Sequence, residues 1–210
     1  MNVRWLGAVV LFVLLAGCVG GNSKNPSLYL LTPRAAPVEA AALTSISFGV
    51  GPVRVPPFLM RPQVVSHDGG GQLLLRDDQR WSEPLEQGMQ RVLLQNLGAL
   101  TGADMRNFPW TQTTVPHYAL RVDVIDLDRR ADGSTVLEAQ WILEDIAAGK
   151  MLVSRRDRFS SATTASATTT NTTGDETDYT ALAASYSDLL AQLAQRAADE
   201  LNARVSSDKP

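Results

Sequence analysis

Residues 118–159 read YALRVDVIDLDRRADGSTVLEAQWILEDIAAGKMLVSRRDRF. Three runs in it alternate apolar with polar side chains, the period of a half-buried β-strand. In Tyr118–Leu127, Tyr118, Leu120, Val122 and Val124 share one side. In Val136–Asp145 the apolar side is Leu137, Ala139, Trp141 and Leu143. In Met151–Phe159 it is Met151, Val153 and Phe159. Asp132-Gly133 and Gly149-Lys150 separate the runs, and such pairs suit hairpin turns. The stretch predicts an antiparallel meander with one wet face.

Helical spacing flanks this meander. Over Trp81–Leu100, the residues Leu85, Met89, Val92, Leu93, Leu97 and Leu100 fall on one face, with Asn96 on the same stripe. Ser82 reads as the cap, Pro84 fits the first turn, and Glu83 and Glu86 suit the positive end of the helix. Gly102 reads as its stop. A second helix is predicted from a cap at Asp178 to about Arg204, with Leu182, Tyr186, Leu189, Leu190, Leu193, Ala197 and Leu201 on its stripe. Upstream, Leu28–Thr32 and Ile46–Val55 read as strands, with a bulge or edge position at Gly51-Pro52. Val64-Val65 and Leu73–Leu75, around three glycines, read as a small hairpin. The order predicts an α+β fold: an antiparallel β-sheet with two helices packed on one face.

The amino terminus carries a different signal. Arg4 precedes an almost unbroken apolar run, Leu6–Leu15, which ends in Leu15-Ala16-Gly17-Cys18. The run is shorter than the about 20 residues a membrane-spanning helix needs. It matches the apolar core of a signal peptide, and its end resembles a lipobox. Cleavage between Gly17 and Cys18 would leave the Cys18 thiol to take a diacylglycerol. This divides the chain into a lipoprotein signal peptide (1–17), a lipidated tether (18–27) and a single periplasmic α+β domain (28–205). Within the domain, residues 160–177 are mostly Ser, Thr and Ala and read as a loop. Cys18 is the only cysteine, so the domain has no internal disulfide and relies on its core. Val19, where an aspartate would signal otherwise, resembles an outer-membrane address.

The formal net charge is −3, and residues 1–17 hold one charged residue, Arg4, so the remainder carries −4. That balance argues against nucleic acid as a partner. Motifs for catalysis or phosphate binding are missing. The two histidines, His67 and His117, are isolated in sequence and with one lipidated cysteine do not make a zinc site. His67 beside Asp68 reads as a solvated turn, and His117 as a strand-edge residue. No catalytic residue, metal or cofactor is expected.

One segment stands apart: GPVRVPPFLMRPQVV, residues 51–65. Its prolines fix an extended backbone and remove donors. Arg54 and Arg61 suit interface pairing better than lysines would. Its apolar side chains are either packed on the domain itself or shown to a partner. The contact reading selects Arg54, Pro56, Phe58, Leu59, Arg61, Pro62 and Gln63.

The same segment carries a family resemblance. Gly51-Pro52-Val53, Pro56, Leu59 and Arg61-Pro62-Gln63-Val64 are followed by Arg80-Trp81, Glu83-Pro84-Leu85, Arg91-Val92-Leu93 and Asn96-Leu97. With Tyr29-Leu30-Leu31 and the lipobox, this set resembles the PqiC family of ABC-transport auxiliary lipoproteins. The motifs cover about residues 15–100, and the rest agrees in element order. The resemblance implies an adaptor that is not an enzyme. Its acyl chains would sit in the outer membrane, and its domain would face the periplasm and grip an MCE-domain tunnel protein that carries lipid between membranes. It also implies a homo-oligomeric ring. The rival readings are a monomeric lipid-binding carrier and a hydrolase.

Overall fold

The computed structural model describes residues 25–37, 43–67, 71–130, 132–161 and 178–207. The signal peptide, Gly17, Cys18 and most of the tether lie outside the described residues, as do Asp68 and residues 162–177 of the Ser/Thr-rich loop.

Among the described residues, eight strands and two long helices are arranged as two sheets with a helical layer. The strands are β1 (Ser27–Tyr29), β2 (Ser47–Arg54), β3 (Gln63–His67), β4 (Leu73–Trp81), β5 (Asp104–Asn107), β6 (Tyr118–Arg129), β7 (Thr135–Asp145) and β8 (Lys150–Ser161). The helices are α1 (Leu85–Thr101) and α2 (Tyr179–Ser207). A larger sheet has the order β5-β2-β6-β7-β8 and a smaller one β1-β4-β3.

The meander forms as its alternation predicts. β6 pairs antiparallel with β7, and β7 with β8. Leu137, Ala139, Trp141 and Leu143 have no solvent exposure, and they meet the stripes of both helices in one core. Both stripes are buried along their length, Met89, Val92, Leu93 and Leu97 from α1 and Leu182, Leu189, Leu193 and Leu201 from α2 among them. The opposite face of the sheet carries cross-strand ion pairs, Arg121–Glu144 at 2.8 Å and Arg156–Glu138 at 2.6 Å. Such exposed pairs contribute little to stability.

The α+β class holds, but the strands are not all antiparallel. β2 lies between β5 and β6 and runs parallel to both, and β1 runs parallel to β4. The long connection between β2 and β6 permits a parallel pairing that a short hairpin cannot. β5 was not legible as a strand, since Met105 is its only apolar residue. The irregularity expected at Gly51-Pro52 is a register shift between Val50 and Val53, in a central strand. Gly49 and Gly51 admit a close cover there: a Cβ on Gly49 would come within 2.5 Å of the Trp110 ring, and one on Gly51 within 2.6 Å of Phe108. Gly51 also has φ +136, a region side chains avoid.

Two further details depart from the sequence reading. Met151 is 57% exposed, because a register shift beside Leu143 and Glu144 turns it away from the core. Helix α1 starts at Leu85 with Pro84 at the cap and no side-chain cap bond. Ser82 cannot serve, because the preceding residues are spent on the sheet: the Trp81 N–H donates to the Pro62 carbonyl and the Ser82 N–H to the Tyr29 carbonyl, each at 2.8 Å. The ends predicted at Gly102 and Asp178 hold, while α2 runs past the expected Arg204 to Ser207 and β1 is Ser27–Tyr29 rather than Leu28–Thr32. Gly102 closes α1 at φ 65, and the Asp178 carboxylate accepts the Thr180 and Ala181 N–H groups at 3.0 Å.

Candidate functional site

The segment after β2 is a wall built on two anchors. Val55 and Leu59 are buried and hold the chain against the core. Between them Pro56 is half-buried and Pro57 opens a short 3-10 turn, Pro57–Leu59. A proline suits that first position because its missing N–H would have no partner there. Phe58 is half-buried and packs against the core. Beyond Leu59 the chain turns outward: Met60 is 58% exposed, and Arg61 and Pro62 are exposed. Gln63 donates to Asp77 Oδ1 at 3.0 Å. Arg54 points to the wet face of the larger sheet and pairs with Asp123 at 3.2 Å. The segment therefore supplies both an inner and an outer set of side chains, and Arg54 and Arg61 belong to different surfaces.

The opposite wall is the turn from β4 into α1. Glu83 folds back onto Arg91, with Oε1 to Nη2 at 2.5 Å. Gly88 leaves room for this, since a Cβ there would stand 3.1 Å from Glu83 Oε1. The same Arg91 donates to the Leu31 carbonyl at 2.9 Å. Trp81, buried at the floor, stacks on Tyr186 with ring centroids 6.2 Å apart.

Between these walls lies a cleft of about 300 Å³, bounded by Met60–Pro62 on one side and Trp81–Glu86 on the other. Arg61 stands on one lip and forms no ion pair among the described residues. Glu86 stands on the other, and its Oε2 is buried without a hydrogen-bond partner among the described residues. Beside the cleft, Leu28 and Leu30 of the β1 segment are 64% and 49% exposed.

The chain leading in from the tether is strapped across the two helices. The Thr32 N–H donates to Ser187 Oγ at 3.1 Å. The Arg34 and Ala35 N–H groups donate to Asn96 Oδ1 at 2.9 and 3.0 Å. Asn96 and Ser187 have no solvent exposure. Two polar residues on apolar helix faces thus fix the path of residues 31–35. Asn96 on its stripe was the visible signal in the sequence, but its partners lie some sixty residues away.

His117 sits at a strand start, as expected, and adds a contact that sequence reasoning missed. Its Nδ1 lies 2.9 Å from Ser47 Oγ and accepts the Ser47 N–H at 3.2 Å. The Ser47 hydroxyl oxygen in turn accepts the His117 N–H at 3.0 Å. These bonds staple the starts of two parallel strands. Among the described residues no group of three or more His, Cys, Asp or Glu side chains is placed to hold a metal ion, and no helix is long and apolar enough to cross a membrane.

The chain that builds this α+β domain matches a class of lipoproteins that serve transport systems. The family described as "ABC-type transport auxiliary lipoprotein component" matches residues 29–198, and the chain belongs to that family. It is 24% identical over 145 residues to the intermembrane transport lipoprotein PqiC of Escherichia coli (strain K12), covering 67% of this chain and 73% of that protein. Two crystal structures share the fold. One, of an uncharacterized protein, has a TM-score of 0.65 at 21% identity and covers 85% of this chain and 99% of its own. The other, a protein of Xanthomonas campestris, has a TM-score of 0.66 at 15% identity and covers 87% and 99%.

Proposed function

We propose that this protein is the lipid-anchored adaptor of an intermembrane lipid transport system. It is acylated on Cys18 after cleavage at Gly17, sits on the periplasmic face of the outer membrane and docks on an MCE-domain tunnel protein. Its copies assemble into a ring, which suits a tunnel with rotational symmetry. It catalyses nothing. The observation that carries this reading is a coincidence in space: Arg61-Pro62 and Trp81, Glu83-Pro84-Leu85, on which the family resemblance rests, form the two walls of one cleft. Arg61 and Pro62 are exposed on the rim of that cleft, where a partner can reach them. The contact segment, Arg54–Gln63, divides accordingly. Phe58 and Leu59 hold it from within, Pro56 sets its turn, Arg61 and Pro62 meet the partner at the cleft, and Arg54 meets it on the sheet face.

Two experiments test the two halves of the proposal. Cys18→Ser removes the acyl acceptor, so the variant is expected to accumulate as a precursor that takes up no labelled palmitate. Normal mature size with palmitate incorporation would refute acylation at Cys18. Arg61→Glu is expected to fold and melt normally but to lose the MCE protein in a pull-down from membranes. Retention of that protein would remove the cleft from the docking surface.

A further inference from the structure

We propose that Leu28 and Leu30, with Arg80 beside them, rest in the headgroup–acyl boundary of the membrane that holds the acyl chains of Cys18. The inference rests on the acylation reading and adds to it a contact between the folded domain and the phospholipid surface.

Three features single out this patch. The first is its chemistry. Along residues 28–31 exposure alternates: Tyr29 and Leu31 turn toward the core, while Leu28 and Leu30 are 64% and 49% exposed. Across the smaller sheet Leu28 stands opposite Arg80, and Arg80 opposite Gln63. Arg80 donates through Nε to the Asp77 carbonyl at 2.7 Å and has no carboxylate partner among the described residues. Leucines beside an arginine that no acid holds suit a bilayer boundary, where apolar side chains meet acyl chains and a guanidinium meets lipid phosphate. The neighbouring acids are engaged or turned in: Asp77 accepts from Gln63, Asp78 pairs with Arg76, Glu83 pairs with Arg91, and Glu86 keeps one oxygen buried. The second feature is position. Leu28 follows Cys18 by ten residues, and ten fully extended residues span about 36 Å at most. A domain of residues 28–205 has a radius of gyration of about 16 Å, hence a diameter of about 40 Å. The tether therefore cannot lay the side opposite β1 on the bilayer, and the patch belongs to the end that the acyl chains hold closest. The third is rigidity. Buried Leu31, and the bonds from Thr32, Arg34 and Ala35 to Ser187 and Asn96, fix the chain just beyond the patch. The leucines are thus presented without further ordering.

The membrane is the occupant these features favour. The acyl chains already hold the domain at the surface, so a small apolar contact adds to an anchor in place and need not bind alone. A second copy would have to cover the patch on the strength of the leucines, and two leucines fall far short of the about 800 Å² per partner that a stable protein complex buries. The larger sheet also exposes apolar side chains, Ile125 at 38% and Met151, beside Lys150, at 57%. They lie on β6 and β8 with β7 between them, and neither is near the acyl anchor in sequence. The mildly acidic chain gains no long-range attraction to anionic lipid, so the contact depends on the leucines and the tether rather than on lipid charge.

The test uses the full acylated protein in phospholipid vesicles. Leu28→Cys, Leu30→Cys, Ile125→Cys and Met151→Cys are labelled one at a time with a nitrobenzoxadiazole fluorophore. The acylated Cys18 sulfur is a thioether, so each introduced thiol is the free one. The readout is quenching by lipids that carry a nitroxide near the top of the acyl chain. Labels at the Leu28 and Leu30 sites are expected to be quenched several-fold more than those at the Ile125 and Met151 sites. The same order is expected in phosphatidylcholine and in phosphatidylethanolamine mixed with phosphatidylglycerol. Arg80→Gln is expected to reduce quenching at the Leu28 site, with circular dichroism and melting as in the parent protein; unchanged quenching would remove Arg80 from the patch. Equal quenching at all four sites, or none at the Leu28 and Leu30 sites, overturns the proposal. So does quenching confined to vesicles with phosphatidylglycerol, since the attraction would then be to lipid charge. A blue shift at the two leucine sites that grows with protein concentration and lacks lipid quenching overturns it in favour of a second copy. Membrane pull-down with Arg61→Glu is scored separately. If docking depends on Arg61 while the leucine sites are not quenched, the membrane patch is wrong and the adaptor reading stands. A parent protein without acyl chains on Cys18 would remove both.

Discussion

In the larger sheet the inward row of β7, from Leu137 to Leu143, has no solvent contact, whereas in the smaller sheet Leu28 and Leu75 are 64% and 41% exposed. The larger sheet has two helices over one face and long strands, with one register shift in each of the β6–β7 and β7–β8 pairings. The smaller sheet includes a three-residue strand and an interrupted pairing between Gln63 and Val65. It is held by particular bonds: Gln63 to Asp77, Tyr29 Oη to Gln79 at 2.5 Å, and the strap on Asn96 and Ser187. The contrast teaches where each task sits. Stability comes from the packed frame, and the surface proposed for recognition is on the part fixed by a few clamps and prolines.

The strongest way to break the frame is Leu93→Ala. Leu93 has no solvent exposure, and such truncations cost about 2–5 kcal/mol. Thermal melting should show the loss directly. An unchanged midpoint would mean that the α1 face does not pack on the sheet.

A smaller effect should follow from cutting the strap. Asn96→Ala leaves the Arg34 and Ala35 N–H groups without their acceptor, a penalty of about 1–3 kcal/mol. Amide exchange at those two positions should rise while β6–β8 stay protected. Loss of protection throughout the meander would show that strap and frame are one cooperative unit.

Much of this contrast was legible in the sequence. β6 and β7 announced themselves because one buried face and one wet face impose a strict period of two. The helix stripes did so because Leu, Met and Val recur at helical spacing, and Asp178 and Gly102 marked two ends by their side-chain and backbone chemistry. What stayed hidden depends on partners distant in the chain. β5 has almost no apolar residue to signal it, and its place beside β2 is decided by pairing. The start of α1 was misplaced because Trp81 and Ser82 are taken by Pro62 and Tyr29, which no local pattern records. Of the site, Arg61 and Pro62 stood out by composition. Glu86 read only as a first-turn acid, since the second wall that makes it part of a cleft, Met60–Pro62, lies far back in the chain.

Tyr186 separates the regions by pH. It lies beneath Trp81, and burial, then the charges of Asp128 and Asp126, push its phenol well above the ordinary tyrosine range. The folded state therefore holds the proton more tightly than the unfolded chain. Its contribution is complete below the ordinary value of about 10 and declines as pH rises above it. Tyr186→Phe should change neutral-pH stability by less than about 1 kcal/mol, because the hydroxyl has no partner among the described residues. It should also reduce the loss of stability at alkaline pH. A variant as alkali-sensitive as the parent would locate that sensitivity elsewhere.

The smallest effect on stability belongs to the residue expected to matter most for function. Arg61 is exposed, so Arg61→Glu should stay within about 0.5 kcal/mol of the parent. The most direct test of the account is therefore a membrane pull-down through an affinity tag after Pro210, comparing the parent with Arg61→Glu at matched melting temperatures. The account predicts that the parent brings down an MCE-domain protein and the folded variant does not. Equal recovery of that protein by both, or recovery by neither, would contradict it.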